Sequence, residues 1–335
     1  MAVKVPRQPG IAALVFACGL ASAAVSVVAV APAQAQDTGI AVERFTPAAG
    51  PGAFAQVESA PVPLPAQIWL TGALLGIGRP LVLRSALTGD QVSLPVANRV
   101  TLDLGGEIGI WRQRLSVGIG VPLSVWQNGD RLQLTGAANG GAGTGAAAGD
   151  VEAPLQTTAL GDIRLRAKAR LTSLESAASL AVLLEVTIPG GGQHDFIATS
   201  SMTVAPRLLG SFRRGWLVGA LNLGLRFLPQ RFLYGTALHN QFEWGAALGF
   251  VLPVRRVGVA LYSEAAGQLN LVSPGYQSGT EFRAALRLGW FRGAVDLGAA
   301  GGFGALAPQW RAFLLLRMWF GESGVTGCQT KPVTF

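Results

Sequence analysis

The sequence predicts an all-β protein: a 12-stranded antiparallel transmembrane β-barrel with short periplasmic turns and longer extracellular loops. Three observations carry this. From Asp162 to Leu171, charged Asp162, Arg164, Arg166, Lys168 and Arg170 alternate with apolar Ile163, Leu165, Ala167, Ala169 and Leu171. A helix would scatter that charge around its circumference, whereas a strand puts it all on one face, because strand side chains alternate with period two. Similar segments recur along the chain at ten to fourteen residues each, which suits the ~9–11 residues a tilted strand needs to cross a bilayer and is about twice the ordinary strand length. The connections between them alternate short and long, as in outer-membrane barrels.

Ahead of the strands, Lys4 and Arg7 precede an uncharged stretch from Ile11 to Ala33 and then Ala33-Gln34-Ala35. A basic start, an apolar middle and a small-x-small site make residues 1–35 a cleaved secretory signal peptide. An uncleaved anchor is the competing reading of the run, disfavoured by its small alanines and good cleavage site. Removing 1–35 lowers the formal net charge from +8 to +6 and leaves Cys328 as the one cysteine, so no internal disulfide forms. Residues 36–66, rich in Pro, Ala and Gly, read as an irregular N-terminal segment, periplasmic or lumen-associated. The barrel occupies 67–320 and a tail 321–335.

The candidate strands are 67–77, 98–110, 114–126, 160–171, 178–188, 201–212, 215–227, 239–252, 256–269, 280–290, 292–303 and 310–320. Short connections fall at 111–113, 172–177, 213–214, 253–255 and 291. Those at 78–97, 127–159, 189–200, 228–238, 270–279 and 304–309 are mostly longer, richer in Gly and Pro, and more polar. An even strand count with this alternation places both barrel ends in the periplasm.

The strand faces are well separated. The apolar phase holds, for example, Val100, Leu102, Leu104 and Ile108, or Trp310, Ala312, Leu314, Leu316, Met318 and Phe320, and no charge falls on it in any strand. A mid-membrane Lys or Arg there would cost about 2–4 kcal/mol. The opposite phase supplies the expected pore-lining residues: Arg99, Asp103, Glu107, Arg164, Arg166, Lys168, Arg170, Glu185, Arg207, Arg226, Glu243, Glu264, Arg283, Arg287, Asp296, Arg311 and Arg317. Pro206 removes a ladder donor mid-strand and marks either a bulge or a strand out of phase. Aromatics gather at both ends as interfacial girdles: Trp111, Phe212, Trp216, Trp290, Phe291, Trp319 and Phe320 near the short turns, and Trp126, Phe227, Phe242, Trp244, Phe282 and Trp310 near the long loops.

Glu43-Arg44-Phe45 through Gly50-Pro51-Gly52, Arg79-Pro80-Leu81-Val82-Leu83 and Leu160-Gly161-Asp162-Ile163-Arg164-Leu165 resemble outer-membrane barrels of the phenol-degradation meta-pathway transporter type. Similar barrels precede OmpA-type peptidoglycan-binding domains in some bacteria; here only 15 residues follow the last strand, so that domain is not expected. The resemblance spans roughly 43–320 and implies an outer-membrane channel or transporter for small organic molecules. It also implies a terminal aromatic read by the barrel-assembly machinery, which Phe320 matches better than Phe335.

Other chemistry is poorly supplied. His194 and His239 are the two histidines; neither has a serine two residues away, and no G-x-S-x-G elbow occurs. Twelve-stranded outer-membrane phospholipases make a membrane-embedded hydrolase the least favoured alternative, and no catalytic residue, cofactor or metal site is assigned. His194-Asp195 alone is too few ligands. Gly190-Gly191-Gly192 and 139–149 lack the lysine and the strand–loop–helix setting of a phosphate loop.

The ladder Arg164, Arg166, Lys168 and Arg170 either focuses a field for anionic permeants or pairs with Glu185, Glu107, Asp103 and Glu243. Arginines in the short turns (Arg112, Arg114, Arg213, Arg214, Arg255, Arg256, Arg292) form a basic rim that keeps the turns in water and can meet anionic headgroups. The expected function is an outer-membrane channel for small molecules through a charge-lined lumen. The alternative is a structural or surface-display barrel plugged by 36–66, with the loop 127–159 facing outward. Expected partners are outer-membrane lipid, the assembly machinery and a small permeant; no nucleic-acid motif is present.

Overall fold

The computed structural model describes residues 41, 45–84, 91–129, 155–173, 176–191, 196–199, 201–229, 231–233, 236–253, 257–271, 278–304 and 307–321. The predicted signal peptide, His194, Arg255, Arg256 and Cys328 lie outside the described residues. Twelve strands form the barrel: β1 (Ile68–Arg84), β2 (Gln91–Trp111), β3 (Leu115–Asn128), β4 (Ile163–Arg170), β5 (Ala178–Ile188), β6 (Thr203–Arg214), β7 (Leu217–Arg226), β8 (Gln241–Pro253), β9 (Gly258–Asn270), β10 (Gly279–Trp290), β11 (Gly293–Gly304) and β12 (Trp310–Phe320). Each pairs antiparallel with its neighbours in sequence. β1 also pairs with β12, from Ile68 opposite Phe320 to Gly78 opposite Trp310. That seam closes the sheet and removes its edges, which lets backbone groups cross a hydrocarbon layer fully bonded. No helix is present among the described residues.

Two connections differ from the sequence reading. Residues 78–97, expected as a loop, are largely strand: β1 runs on to Arg84 and β2 begins at Gln91. The alternating stretches 81–84 and 91–96 keep pairing, with register shifts after Gly78, Leu81 and Leu83. Pro80 and Pro95 sit within this irregular part of the ladder, where a missing N–H is tolerated. In contrast, β4 starts only at Ile163, after a two-residue bridge at Ala159–Leu160 that pairs with β3. A small hairpin, 231–233 with 236–238, stands apart in the connection between β7 and β8.

Pro206 causes neither a bulge nor a phase error. It sits in register opposite Leu184 on β5. On the β7 side, the ladder runs from Arg214–Leu217 to Arg207–Gly224, stops, and reappears as a bridge at Val204–Phe227 in the same register. The proline simply deletes local bonds.

The apolar phase faces outward. Leu70, Leu180, Leu261, Leu314 and Leu316 are exposed, while their alternating neighbours are buried, and Leu104 and Ile119 are exposed likewise. Such a continuous greasy exterior is stable only against lipid. Trp111, Phe212, Trp216 and Phe291 are exposed at the short-turn end, and Trp126, Phe282, Trp310 and Phe303 at the other. Trp319 departs from the expected girdle: it lies on the inward phase with Arg317 and stacks on buried Trp69, centroids 4.8 Å apart. The expected result of Leu314→Arg is a loss of about 2–4 kcal/mol; a urea-unfolding midpoint unchanged from the parent would refute the lipid-facing assignment.

Inside the barrel runs the segment 45–66. It descends along β4 to a turn at Gly50–Gly52, returns to the middle at Gln56–Val57, and descends again to the short-turn end, where Pro65 pairs with Gly109. Phe45, Phe54, Ala55 and Val57 form a buried cluster with Leu75, Ile77, Tyr262, Phe313 and Leu315 of the wall. Gly109 permits the close approach at the exit, since a Cβ there would stand 2.1 Å from the Leu64 carbonyl oxygen. Residues 45–66 thus pack within the barrel as its internal filling.

The lumen as candidate functional site

The residues of the charged phase point inward and meet across strands. On β4, Arg166 lies directly opposite Glu185 of β5 and opposite Gly118 of β3; Arg164 lies opposite Gly120. Gly120 leaves room for a guanidinium, since a Cβ there would come within 3.1 Å of Arg164. Arg164 binds Asp103 at 2.5 Å, Arg166 binds Glu185 at 3.0 Å, and Lys168 lies 3.5 Å from Glu107. Arg170, at the short-turn end, donates to the Ser173 carbonyl and the Ser179 hydroxyl. Three of the four ladder cations, Arg164, Arg166 and Lys168, are therefore paired with carboxylates, while Arg170 is held by a carbonyl and a hydroxyl.

Glu185 is the hub. It is fully buried and contacts Arg166, Arg207 at 3.2 Å and Arg226 at 3.1 Å. Arg207 and Arg226 also hold Glu243, at 3.0 and 2.5 Å. The opposite wall repeats the pattern. Glu281 joins Arg283 and Arg311, Glu264 approaches Arg283, and Asp296 holds Arg287 at 2.6 Å and accepts from Tyr262 at 2.9 Å. Arg99 donates to Gln127 and to the Phe196 carbonyl.

The same charges grip the 45–66 segment through its backbone. Arg317 donates to the carbonyls of Ala48 and Phe54, Arg287 to Ala53, and Glu264 accepts from the amides of Gln56 and Val57. The guanidiniums of Arg283 and Arg311 both lie against Phe45, 5.2 and 5.0 Å from its ring centroid. The only charged side chain in the segment, Glu58, meets Lys168 at 3.1 Å and Arg166 at 3.3 Å and accepts from the Ala49 amide. With its amide oriented to satisfy both atoms, Asn222 of β7 donates to the Glu58 carbonyl and accepts from its N–H.

Toward the long loops this filling leaves a cavity of about 190 Å³. Its floor is Thr46, Gln56, Val57 and Glu58, and its walls include Asp162, Arg164, Arg166, Glu185, Arg207, Arg226, Glu243, Glu281, Arg283 and Arg311. Below it, against Glu58, Glu107 and Lys168, is a space of about 10 Å³, roughly one water. Glu58, Glu281 and Tyr262 belong to this network and were missed by the sequence reading. Glu281 shares the phase of Arg283 and was legible there. Glu58 had no periodic pattern around it, but a lone carboxylate in an otherwise uncharged stretch that fills a cationic lumen is its own signal.

Among the described residues no three His, Cys, Asp or Glu side chains gather in metal-binding geometry, and His239 is half-buried at the long-loop rim. No protein-family model and no curated protein matches the chain. Solved structures do match. A COG4313 outer membrane channel from Pseudomonas putida F1 superposes with a TM-score of 0.55 at 13% identity, covering 77% of this chain and 97% of its own. LpxR from Salmonella typhimurium reaches 0.40 at 8% identity over 76% of this chain and 100% of its own. The β domain of the Bordetella autotransporter BrkA reaches 0.38 at 12% identity, over 76% and 98%. At 13% identity the first likeness is one of fold: a closed outer-membrane-type barrel.

Proposed function

We propose that this chain is an outer-membrane channel for small polar molecules, entered from the long-loop side and constricted by its own segment 45–66. The observation that carries the reading is the cavity of about 190 Å³ walled by paired guanidiniums and carboxylates. A lumen sealed for structural reasons alone would close more cheaply around apolar side chains than around this many buried charges. The resemblance to phenol-degradation transporters supports a small organic permeant. The greasy exterior and export signal support insertion in the outer membrane, with Phe320 as the aromatic the assembly machinery reads. The second reading, a closed barrel with a structural or display role, is favoured by the depth to which 45–66 fills the lumen.

Planar-bilayer recording of the refolded full chain separates them: discrete small steps are expected, and their absence across repeated insertions supports the closed barrel. A lipase assay on the same sample that released fatty acid would bring back the hydrolase. Because the ladder is paired, the channel should be weakly ion-selective. Replacing Arg164, Arg166 and Lys168 by glutamine leaves Asp103, Glu185, Glu58 and Glu107 undercompensated. The reversal potential in a salt gradient should therefore move toward cation preference. An unmoved potential removes these residues from the conduction path.

A further inference from the structure

The short-turn end of the barrel carries a feature that the lumen does not use. Arg112, Arg213, Arg214 and Arg292 are exposed on the β2–β3, β6–β7 and β10–β11 turns, and Arg114 is half-exposed beside Arg112. No described residue in the connections at this end is acidic. Toward the opposite end, Arg79 in the irregular upper part of β1 is exposed and donates to Gln309. Among the described residues, charge in the lumen is largely paired across strands, and at the short turns it is positive and outward-facing.

An exposed aromatic accompanies the arginines on each of these turns. Trp111 precedes Arg112, Trp216 follows Arg213 and Arg214, and Phe291 precedes Arg292, whose guanidinium lies 5.4 Å from the Phe291 ring centroid. Phe291 is 72% exposed and Trp216 59%. In water, that much aromatic surface on three separate turns is unfavourable. At the boundary of a bilayer it is favourable, with the rings at headgroup level and the guanidiniums just beyond them. A guanidinium at that level meets phosphate, which it binds through two parallel N–H donors where an ammonium offers a single point.

We propose that this rim is a binding surface for anionic phospholipid headgroups in the leaflet facing the short turns, with each turn clamping a phosphate between arginine and aromatic. The assignment is independent of conduction: a sealed barrel would bind the same lipids. Lipid is favoured over an acidic protein because the arginines ring the perimeter beside lipid-level aromatics instead of forming one patch.

The test is native mass spectrometry of the full-length protein in a neutral detergent, titrated with short-chain phosphatidylglycerol or phosphatidylcholine. Phosphatidylglycerol should be retained preferentially and released by salt, since one basic residue at an anionic surface is worth about fivefold in partition. The variant Arg213→Gln/Arg214→Gln/Arg292→Gln should lose at least about tenfold of that retention, while Arg79→Gln at the other end keeps it. A heat-shift gel on each variant confirms that the barrel is closed. Equal retention of the two lipids, or full retention by the triple variant, overturns the proposal. So does competition by soluble glycerol phosphate as effective as by the lipid, which would mark a free-phosphate site. Tighter binding of polyglutamate than of phosphatidylglycerol would assign the rim to an acidic protein instead.

Discussion

Glu185→Gln should destabilise the barrel by about 3–5 kcal/mol, the cost of leaving buried charges without their partner. The glutamine keeps the shape and one acceptor but removes the charge that three guanidiniums share. Arg166, Arg207 and Arg226 all contact this carboxylate, and it has no exposure to water. Glu243 can hold Arg207 and Arg226, while Arg166 would fall back on Glu58 and the Pro47 carbonyl. The backbone ladder is untouched, so the variant still closes, and the loss appears as a lower urea midpoint with the slope unchanged. Adding Arg207→Gln should recover part of it, because the second change removes one of the stranded cations, and a double-mutant cycle measures that coupling. A midpoint shift worth less than about 1 kcal/mol would mean that water reaches the hub and that the lumen is wetter than its burial implies.

The wall of this site is legible in the sequence because a strand has only two faces. Once lipid claims one, every charge must point to the other, and Arg99, Glu185, Arg207 and Arg317 follow without knowledge of their partners. Partner choice was not legible. Whether Arg166 neutralises Glu185 or stands bare depends on the registers of β3, β4 and β5, and those are fixed by bulges and turns that alternation does not encode. The girdle at Trp319 failed for a related reason: an aromatic near a strand end suits either face, and only its phase with Arg317 places it inside against Trp69. The hairpin extension at 78–97 was hidden by Pro80 and Pro95, which read as loop signals and instead sit where the ladder is already irregular. The filling segment was legible only as irregular chain. Its position depends on backbone carbonyls and amides accepting from and donating to wall charges, and every sequence has those groups.

Excising residues 45–61 should raise single-channel conductance severalfold and shift selectivity toward anions. The segment fills the lumen below the cavity through Phe45, Phe54, Ala55, Val57 and Ala60, all buried. Its anchors, Arg287, Arg317 and Glu264, are wall residues that stay behind. Cutting after Pro61 keeps the Leu64–Gln67 turn and the Pro65–Gly109 bridge that lead into β1, so the strand seam can still form. Unlike the loss of Glu185, the cut exposes the freed charges to incoming water, which solvates them, so the penalty to folding is smaller than a buried mismatch would impose. The direction of selectivity follows from Glu58. It is the single charge removed, it is negative, and its absence leaves Lys168 and Arg166 facing the widened path with less compensation. Glu58→Gln alone should produce the same shift in reversal potential with little change in conductance, because the bulk of the filling stays in place. If the excised barrel remains closed on a heat-shift gel and conducts no better than the parent, the constriction lies elsewhere, and segment 45–66 is packing for the wall instead of the element that narrows the channel.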